Sequence, residues 1–182
     1  AQRTAQHLAD VLNGSQTGQV RLGLERHVLR QILNTVLANA NRQLERMTGR
    51  YRLRVTERDA ASTQSLDLDV EDAQAGLALR KVSTLSGGEG FQASLALALG
   101  LSEAAERTSG AVELGALFID EGFGSLDQDA LSKVTQVLRR LPEAQNRMVG
   151  VITHVDALKD RLDAQLLVSR TEAGSRVEHR VG

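Results

Sequence analysis

The tetrapeptide Ser86-Gly87-Gly88-Glu89, which opens a long apolar segment, restricts the fold of this chain more than any other stretch. Ser86 and Glu89 have the spacing of a capping box, in which each side chain accepts a hydrogen bond from a free backbone N–H at a helix start. The two glycines carry no Cβ, so a ligand can approach the backbone closely. Because helix N-termini favour phosphate, this stretch is either a well-capped helix start or an anion-binding one.

Two long helices are predicted from the apolar pattern. The first spans Glu25–Met47, where apolar residues recur at helical spacing along one face. The second runs from Ser86 to about residue 106, and between residues 91 and 101 only Gln92 and Ser94 are clearly polar. A helix that is apolar nearly all round lies inside a protein, so we expect the second helix to be buried.

Two half-buried strands are predicted after Gly49, which ends the first helix. Apolar and charged residues alternate in residues 51–55 and 66–70, the pattern of strands with one face in water. If the strands pair, basic and acidic side chains share the solvent face and neutralise one another: Arg50, Arg52, Arg54, Asp67 and Asp69. Contact of the three arginines with a phosphate backbone is the weaker alternative. Residues 72–84 are interpreted as a connector.

A strand–helix–strand unit is predicted in the second half of the chain. Ala116–Ile119 is a continuous apolar run, typical of a strand covered on both faces, and Met148–Thr153 is a second such strand. Between them Asp127 can cap a helix that Pro142 closes. Two strands joined by a helix imply a parallel sheet. The other predicted elements are helices at 1–13 and 156–162 and a hairpin of strands at 165–168 and 176–181.

Polar side chains follow both apolar strands. Asp120 and Glu121 end the first strand and His154 follows the second, and ligands of open parallel sheets bind at the carboxyl ends of strands. Since neighbouring strand residues point apart, one carboxylate can hold a hard cation while the other polarises a water molecule. Each residue alone is equally compatible with an ordinary turn, and the interpretation depends on all three lying downstream of the tetrapeptide.

Length and composition exclude several classes of protein. The 182 residues make one compact domain or one lobe of a larger one. The chain has no cysteine, hence no disulfide framework and no thiolate metal site, and its net charge of −1 gives no basic domain. No apolar run reaches about 18 residues, so we expect no membrane partner. The sequence starts at Ala1 without Met or a signal peptide, so we expect a piece of a longer protein. The cytoplasm is the default expectation for its compartment.

Four segments resemble the motifs of the ATP-binding-cassette ATPases. Residues 84–89 look like the signature motif, and Leu117–Glu121 looks like the Walker B strand. Gly124-Ser125-Leu126-Asp127 is similar to the D-loop, and Thr153-His154 to the switch histidine. The joint order of these motifs makes chance a poor explanation of the pattern.

Within that superfamily the chain resembles the SbcC family, the ATPase subunits of SbcC–SbcD DNA-repair nucleases. The specific marks are Phe91 after the signature motif and the segment Asp120–Asp127. Transporter cassettes usually carry Gln and Pro where this chain has Glu89 and Gly122.

The resemblance implies a nucleotide site shared by two heads, the globular ATPase units, which sandwich ATP and Mg²⁺ between them. Four residues would bind the γ-phosphate held by the opposite head: Ser86, Gly87, Gly88 and Glu89. Asp120 would position Mg²⁺, Glu121 would activate the attacking water, and His154 would sense the γ-phosphate. The D-loop would comprise Gly124, Ser125, Leu126 and Asp127.

The resemblance also implies an α/β fold, namely the C-terminal lobe of an ATPase head. We expect a largely parallel sheet flanked by helices, with an antiparallel hairpin and the base of a coiled coil. Residues 1–48 would form the helical base of the coiled coil and the entry to the lobe, and residues 49–182 the lobe itself. The sequence contains no G-x-x-x-x-G-K-[ST] loop, so the Walker A segment is expected in an N-terminal lobe of the same protein.

The partners that the resemblance implies are that N-terminal lobe, a second identical head, an SbcD-like nuclease and double-stranded DNA. The expected location is the cytoplasm, at the nucleoid. Two alternatives remain at this point. One is a different cassette ATPase, of the chromosome-structural or transporter type, and the other is a catalytically silent docking lobe.

Overall fold

A computed structural model describes residues 24–56, 67–109, 114–145, 147–159, 161–172 and 174–181. The helices are α1 (Leu24–Thr48), α2 (Gly87–Ser109), α3 (Gln128–Gln145) and α4 (Asp156–Lys159). The strands are β1 (Tyr51–Val55), β2 (Leu68–Asp72), β3 (Ala78–Lys81), β4 (Ala116–Asp120), β5 (Met148–Ile152), β6 (Ala164–Thr171) and β7 (Gly174–Val181). The helix predicted at residues 1–13 lies outside the described ranges.

The described strands form three sheets. Strands β1, β2 and β3 make an antiparallel sheet in that order, β4 and β5 pair in parallel, and β6 and β7 form an antiparallel hairpin. The α/β class, the parallel pair with its connecting helix and the C-terminal hairpin are confirmed. In the described part of the chain the parallel pairing is confined to β4 and β5, so antiparallel pairing is more extensive than the sequence predicts.

Strand β3 lies inside the segment that was predicted to be a connector, residues 72–84. Its sequence, Ala-Leu-Arg-Lys, has no β-branched residue and no clear burial pattern, so side-chain propensity gives no sign of a strand. It forms because the backbone of β2 offers a free edge, with Asp69 opposite Lys81 and Asp72 opposite Ala78. The prediction of a simple connector is therefore wrong.

The charged residues of this antiparallel sheet are only partly as predicted. Strands β1 and β2 pair, with Arg54 opposite Asp69, but Asp69 is only 4% exposed and does not lie on a solvent face. Arg54 instead pairs with Glu71 at 2.8 Å. Arg50 donates to both carboxylate oxygens of Asp72, at 2.8 and 2.6 Å. The hydrogen bond from that guanidinium lowers the pKa of Asp72 to about 2.

Helix α1 packs against α2 at the centre of the molecule. The inner half of its apolar stripe is buried, whereas Val28, Leu29 and Ile32 nearer its start are about half exposed. The closest approach is at Gly100 of α2, where a Cβ would lie 2.6 Å from the backbone nitrogen of Ala40. The two backbones therefore touch at a position where only glycine fits.

The parallel pair has one covered face and one open face. Leu117, Ile119 and their neighbours on β5 pack against the core, but Phe118, Met148 and Ile152 are 66%, 61% and 55% exposed. The prediction that β4 is covered on both faces is therefore wrong for the described residues, because the core covers one face only.

Two helix ends also differ from prediction. Helix α3 buries the four residues predicted to point inward, Leu131, Val134, Leu138 and Leu141, but it continues through Pro142 to Gln145. Proline removes one backbone hydrogen bond, and the helix has enough buried contacts before it to continue for a further turn. Helix α4 ends at Lys159, earlier than predicted. No helix within the described ranges is long and apolar enough to cross a membrane.

The contact between α1 and α2 leads to a first prediction. Gly100→Ala should lower the free energy of unfolding by about 1–3 kcal/mol, because the added methyl group has to force two backbones apart. Gly90→Ala on the same helix is the matched control, since a Cβ there meets nothing within 4 Å. It should raise stability by about 0.5–1 kcal/mol. Urea denaturation checks both, and equal effects would contradict the close packing.

The ion pair between Arg50 and Asp72 leads to a second prediction. The pKa of Asp72 in the folded chain is about 2, against an ordinary value of 3.8. Its stabilising effect is therefore complete above about pH 4 and is lost as the pH falls toward 2. Asp72→Asn should lower the urea midpoint at pH 7, and the difference from the unsubstituted chain should shrink below pH 4. Asp163→Asn, which breaks an exposed pair with Arg139, should change little at either pH. A difference for Asp72→Asn that is independent of pH would contradict the assignment.

Candidate functional site

The start of α2 has the geometry of the predicted capping box. The Ser86 N–H donates to Glu89 Oε2 at 2.9 Å, and the Glu89 N–H donates to Ser86 Oγ at 3.4 Å. The helix begins at Gly87, so its first N–H groups and the positive end of its dipole lie at the signature tetrapeptide, residues 86–89. This end of the helix is partly exposed and accessible to an anion.

The signature tetrapeptide packs directly on the D-loop, residues 124–127. A Cβ on Gly88 would lie 2.7 Å from the carbonyl oxygen of Ser125 and 3.6 Å from Leu126 Cδ2. Sequence reasoning attributed the absence of a side chain at Gly88 to ligand approach. The structure adds a second reason, because this glycine also lets two predicted motifs touch within one lobe.

The carboxyl ends of β4 and β5 bring the predicted acidic residues and the histidine to one edge. Asp120 ends β4, and the Glu121 N–H donates to the carbonyl oxygen of Ile152 at 2.9 Å. His154 Nδ1 lies 2.8 Å from Glu121 Oε2. Glu121 has a φ of +60°, a left-handed conformation that is uncommon for a residue with a side chain and clusters at functional sites.

The D-loop turn joins this edge to the signature tetrapeptide. A Cβ on Gly124 would lie 3.8 Å from His154 Nε2, so the turn passes beside the histidine. Phe91, in the second turn of α2, makes an edge-to-face contact with Phe123 at 5.0 Å between ring centroids. Tetrapeptide, D-loop and sheet edge therefore form one continuous surface, held in place by an aromatic pair.

Asp127 has an identifiable structural task at the end of the D-loop. Its Oδ1 accepts the Ala130 N–H at 2.8 Å, which caps α3 as the sequence predicts. Ser125 Oγ donates to the Gly122 carbonyl oxygen at 2.9 Å, which tightens the turn. Both contacts give the loop a defined shape.

Sequence reasoning missed a group of residues behind the tetrapeptide. The Tyr51 hydroxyl of β1 donates to Glu89 Oε1, and Arg50 and Arg80 lie 3.7 and 3.9 Å from the same carboxylate. The alternating pattern of β1 predicts that Tyr51 points inward, but nothing in it indicates a contact with a helix start 38 residues away. The only signal was the Glu in place of the Gln that transporter cassettes usually carry.

The ionisation states of this group follow from its surroundings. Burial would raise the pKa of Glu89, but hydrogen bonds from Tyr51 and Ser86 outweigh it and the pKa is lowered. Burial, together with the hydrogen bond to Glu89, raises the pKa of Tyr51 to about 12. At neutral pH the pair is therefore a neutral phenol that donates to a carboxylate.

The residues at the sheet edge fit the chemistry of Mg²⁺. Asp120 offers a hard carboxylate oxygen at the exposed end of β4. No group of three or more His, Cys, Asp or Glu within the described ranges is placed to hold a metal. Mg²⁺ is commonly bound through one or two carboxylates together with phosphate and water, and one carboxylate beside an anion-binding helix start suits that arrangement.

Comparison with known proteins places the chain in a family. The family model described as SbcC/RAD50-like, Walker B motif, matches residues 47–140. The chain is 43% identical over 173 residues to the SbcC component of nuclease SbcCD from Treponema pallidum, covering 93% of this chain and 16% of that protein. It is 44% identical over 171 residues to the same component of nuclease SbcCD from Vibrio cholerae, covering 92% and 16%. The chain thus spans about a sixth of the length of the curated relatives it matches.

A solved structure of an SMC ATPase has the same fold. The TM-score is 0.66 at 18% sequence identity, and the match covers 85% of this chain and 88% of that one. At this level of identity the likeness shows the fold, whereas the family model and the relatives above show the family. The chain belongs to the SbcC/RAD50-like family of ATPases.

Proposed function

We propose that this chain is the C-terminal lobe of the ATPase head of an SbcC-like DNA double-strand-break repair protein. ATP bound between two heads joins them, and hydrolysis controls the access of a partner nuclease, similar to SbcD, to double-stranded DNA. The observation that carries the proposal is the continuous surface of tetrapeptide, D-loop and sheet edge, in a chain of this family. We infer that the protein acts in the cytoplasm, at the nucleoid.

The signature tetrapeptide supplies the contact between heads. Ser86 Oγ accepts the Glu89 N–H, which leaves its hydroxyl proton to donate to a γ-phosphate oxygen. The backbone N–H groups of Gly87 and Gly88 point along the helix axis toward the same position, where the dipole of α2 favours negative charge. The phosphate bound there belongs to the nucleotide that the opposite head holds in its Walker A loop.

The sheet edge supplies the chemistry. Asp120 would hold Mg²⁺, which would offset the negative charge of the phosphates. Glu121 accepts a proton from water as the water oxygen attacks the γ-phosphorus and the bond to the bridging oxygen of ADP breaks. His154, within 2.8 Å of Glu121, donates a hydrogen bond to a γ-phosphate oxygen. The D-loop residues Gly124, Ser125, Leu126 and Asp127 hold these groups in register with the tetrapeptide.

The open face of the parallel pair supports docking of an N-terminal lobe. Phe118, Met148 and Ile152 lie on that face, and soluble proteins rarely leave such an apolar patch uncovered. The hairpin adds further exposed apolar residues: Leu166, Val168, Val177 and Val181. We infer that residues 49–182 form the lobe on which the Walker A lobe of the same protein packs.

The exposed apolar residues at the start of α1 support a coiled-coil base and a binding site for the partner nuclease. Val28, Leu29 and Ile32 are about half exposed on a helix longer than its buried contacts require. We infer that residues 1–48 continue into the base of a coiled coil, and that this base is where the partner nuclease binds.

A chromosome-structural ATPase is the alternative that fold alone leaves, because the SMC structure superimposes well. Sequence identity favours the SbcC-like protein over the chromosome-structural ATPase. The chain is 43% identical to the SbcC component of an SbcCD nuclease and 18% identical to the SMC chain. The membership in the SbcC/RAD50-like family likewise disfavours a transporter.

The absence of a phosphate-cradling loop from the sequence leads to a third prediction. The chain alone should bind ATP weakly or not at all and should hydrolyse none, whereas the chain joined to its Walker A lobe should do both. Isothermal titration calorimetry and phosphate release measure these quantities. Micromolar ATP binding by the isolated chain would contradict the claim that ATP binding requires the Walker A lobe.

A fourth prediction separates chemistry from assembly in reconstituted heads, each consisting of this chain and the Walker A lobe. Glu121→Gln keeps the size of the side chain but removes the base, so phosphate release should fall by about 10² to 10⁴. Trapped ATP should then prolong the life of the dimer, since a ligand bound only to the joined form stabilises it. Ser86→Arg should instead abolish ATP-dependent dimerisation while each head still binds ATP in its own Walker A loop.

Light scattering with and without ATP, beside a phosphate-release assay, measures both effects. If Ser86→Arg heads still dimerise with ATP, the tetrapeptide is not the contact between heads. If Glu121→Gln heads hydrolyse ATP at the unsubstituted rate, the base is another residue.

A further inference from the structure

The carboxylate of Glu89 is held from two sides. Oε2 accepts the Ser86 N–H at 2.9 Å within the capping box, and Oε1 accepts the hydroxyl of Tyr51. One carboxylate therefore ties the first turn of α2 to strand β1. A capping box needs only the first of these two contacts, so the second has another purpose.

Tyr51 itself is held rigidly. Its side chain is buried, with 4% of the residue exposed, and its ring lies against two guanidinium groups, Arg50 at 4.6 Å and Arg80 at 5.5 Å from the ring centroid. Arg50 is fixed in turn by its two hydrogen bonds to buried Asp72. All three strands of the antiparallel sheet thus contribute to the position of one phenol.

A second tie runs from the same sheet to the residues just before the tetrapeptide. Arg80 Nη1 donates to the carbonyl oxygen of Thr84 at 3.0 Å and to its Oγ1 at 2.8 Å. Thr84 lies two residues before Ser86. The sheet therefore holds the tetrapeptide through its leading segment as well as through Glu89.

Hydrogen bonds also connect Tyr51 to the end of α1. The N–H groups of Arg50 and Tyr51 donate to Thr48 Oγ1 at 3.2 and 3.3 Å, and Thr48 is the last residue of α1. The start of α2 is thus connected to the end of α1 through Tyr51.

The charge of Glu89 is explained by these contacts. A glutamine can close a capping box as well as a glutamate, but only a carboxylate gains from two guanidinium groups within 4 Å. The glutamate that distinguishes this chain from transporter cassettes therefore matches the sheet behind it.

We propose that Tyr51 is a positioning residue for the nucleotide contact between heads. By holding Glu89 against the sheet, it sets the orientation of Ser86 and of the first N–H groups of α2 before the opposite head arrives. The proposal rests on the proposed function, in which those groups bind the γ-phosphate in trans. In this proposal Tyr51 acts through Glu89, to which its hydroxyl donates.

The test is Tyr51→Phe in reconstituted heads. It removes the hydrogen bond that Tyr51 donates to Glu89 and the long one that it accepts from Arg80 Nη2 at 3.5 Å, and it keeps the ring between the two arginines. The ATP concentration for half-maximal dimerisation should rise about tenfold, the effect of losing a hydrogen bond to a charged group. ATP binding to single heads should be unchanged, and the turnover rate at saturating ATP should stay near that of unsubstituted heads. A merely structural role would weaken thermal stability, ATP-dependent dimerisation, ATP binding to single heads and turnover together.

Glu71→Gln is the matched control. Glu71 lies in the same sheet and pairs with Arg54 at 2.8 Å, outside the group around Glu89, so its loss should leave dimerisation unchanged. Glu89→Gln is a second variant, which retains a capping side chain but removes the charge. It should shift the ATP dependence of dimerisation in the same direction as Tyr51→Phe.

Measuring Ser86→Arg in the same experiment distinguishes failure of the positioning role of Tyr51 from failure of the proposed function. If Ser86→Arg abolishes dimerisation while Tyr51→Phe and Glu89→Gln behave like unsubstituted heads, the positioning role is overturned and the proposed function stands. If Ser86→Arg heads still dimerise, the proposed function itself fails. A tenfold shift with Glu71→Gln as well would also overturn the role of Tyr51, because the effect would then belong to the sheet in general.

Discussion

The packing of α2 is the constraint on which the other elements depend. At Gly100 its backbone touches that of α1, and at Gly88 it touches the turn that follows β4. Between these contacts Leu95, Ala96 and Leu99 are buried, so the helix cannot slide or rotate without opening the core. Its N-terminus is therefore fixed relative to both the antiparallel sheet and the parallel pair. A helix end that presents free N–H groups to an anion is useful for recognition only if its position is set in this way.

The charged groups around the start of α2 hold the Glu89 side chain in one orientation. Asp72 fixes Arg50 from behind, Arg50 and Arg80 flank Tyr51, and Tyr51 donates to Glu89. Each member satisfies the next, so the buried carboxylate and phenol have partners, and the burial of polar groups without partners would be costly. On the other side, Glu121 and His154 meet at a sheet edge that remains open. The members of the first group pair with one another and hold the start of α2, whereas the second group lies at an exposed edge.

Local patterns predicted the elements whose signals lie in consecutive residues. The capping box at Ser86 and Glu89, the period-two strand at Tyr51, the parallel pair and the cap at Asp127 all follow from spacing. Strand β3 was missed because its pairing comes from the backbone of β2 and not from its own side chains. The burial of Asp69 and the contact of Tyr51 with Glu89 were missed because they depend on which elements meet in space. The open face at Phe118 was missed because an apolar run favours a covered strand but does not show which part of a protein covers it.

The central claim is that the signature tetrapeptide of one head binds the nucleotide of another. The most direct measurement is a structure of reconstituted Glu121→Gln heads trapped with ATP and Mg²⁺. The account predicts a two-fold dimer in which Ser86 Oγ and the Gly88 N–H of one head lie within about 3.2 Å of a γ-phosphate oxygen held by the other. A dimer in which the tetrapeptide faces solvent, or in which it contacts the nucleotide of its own head, would contradict it.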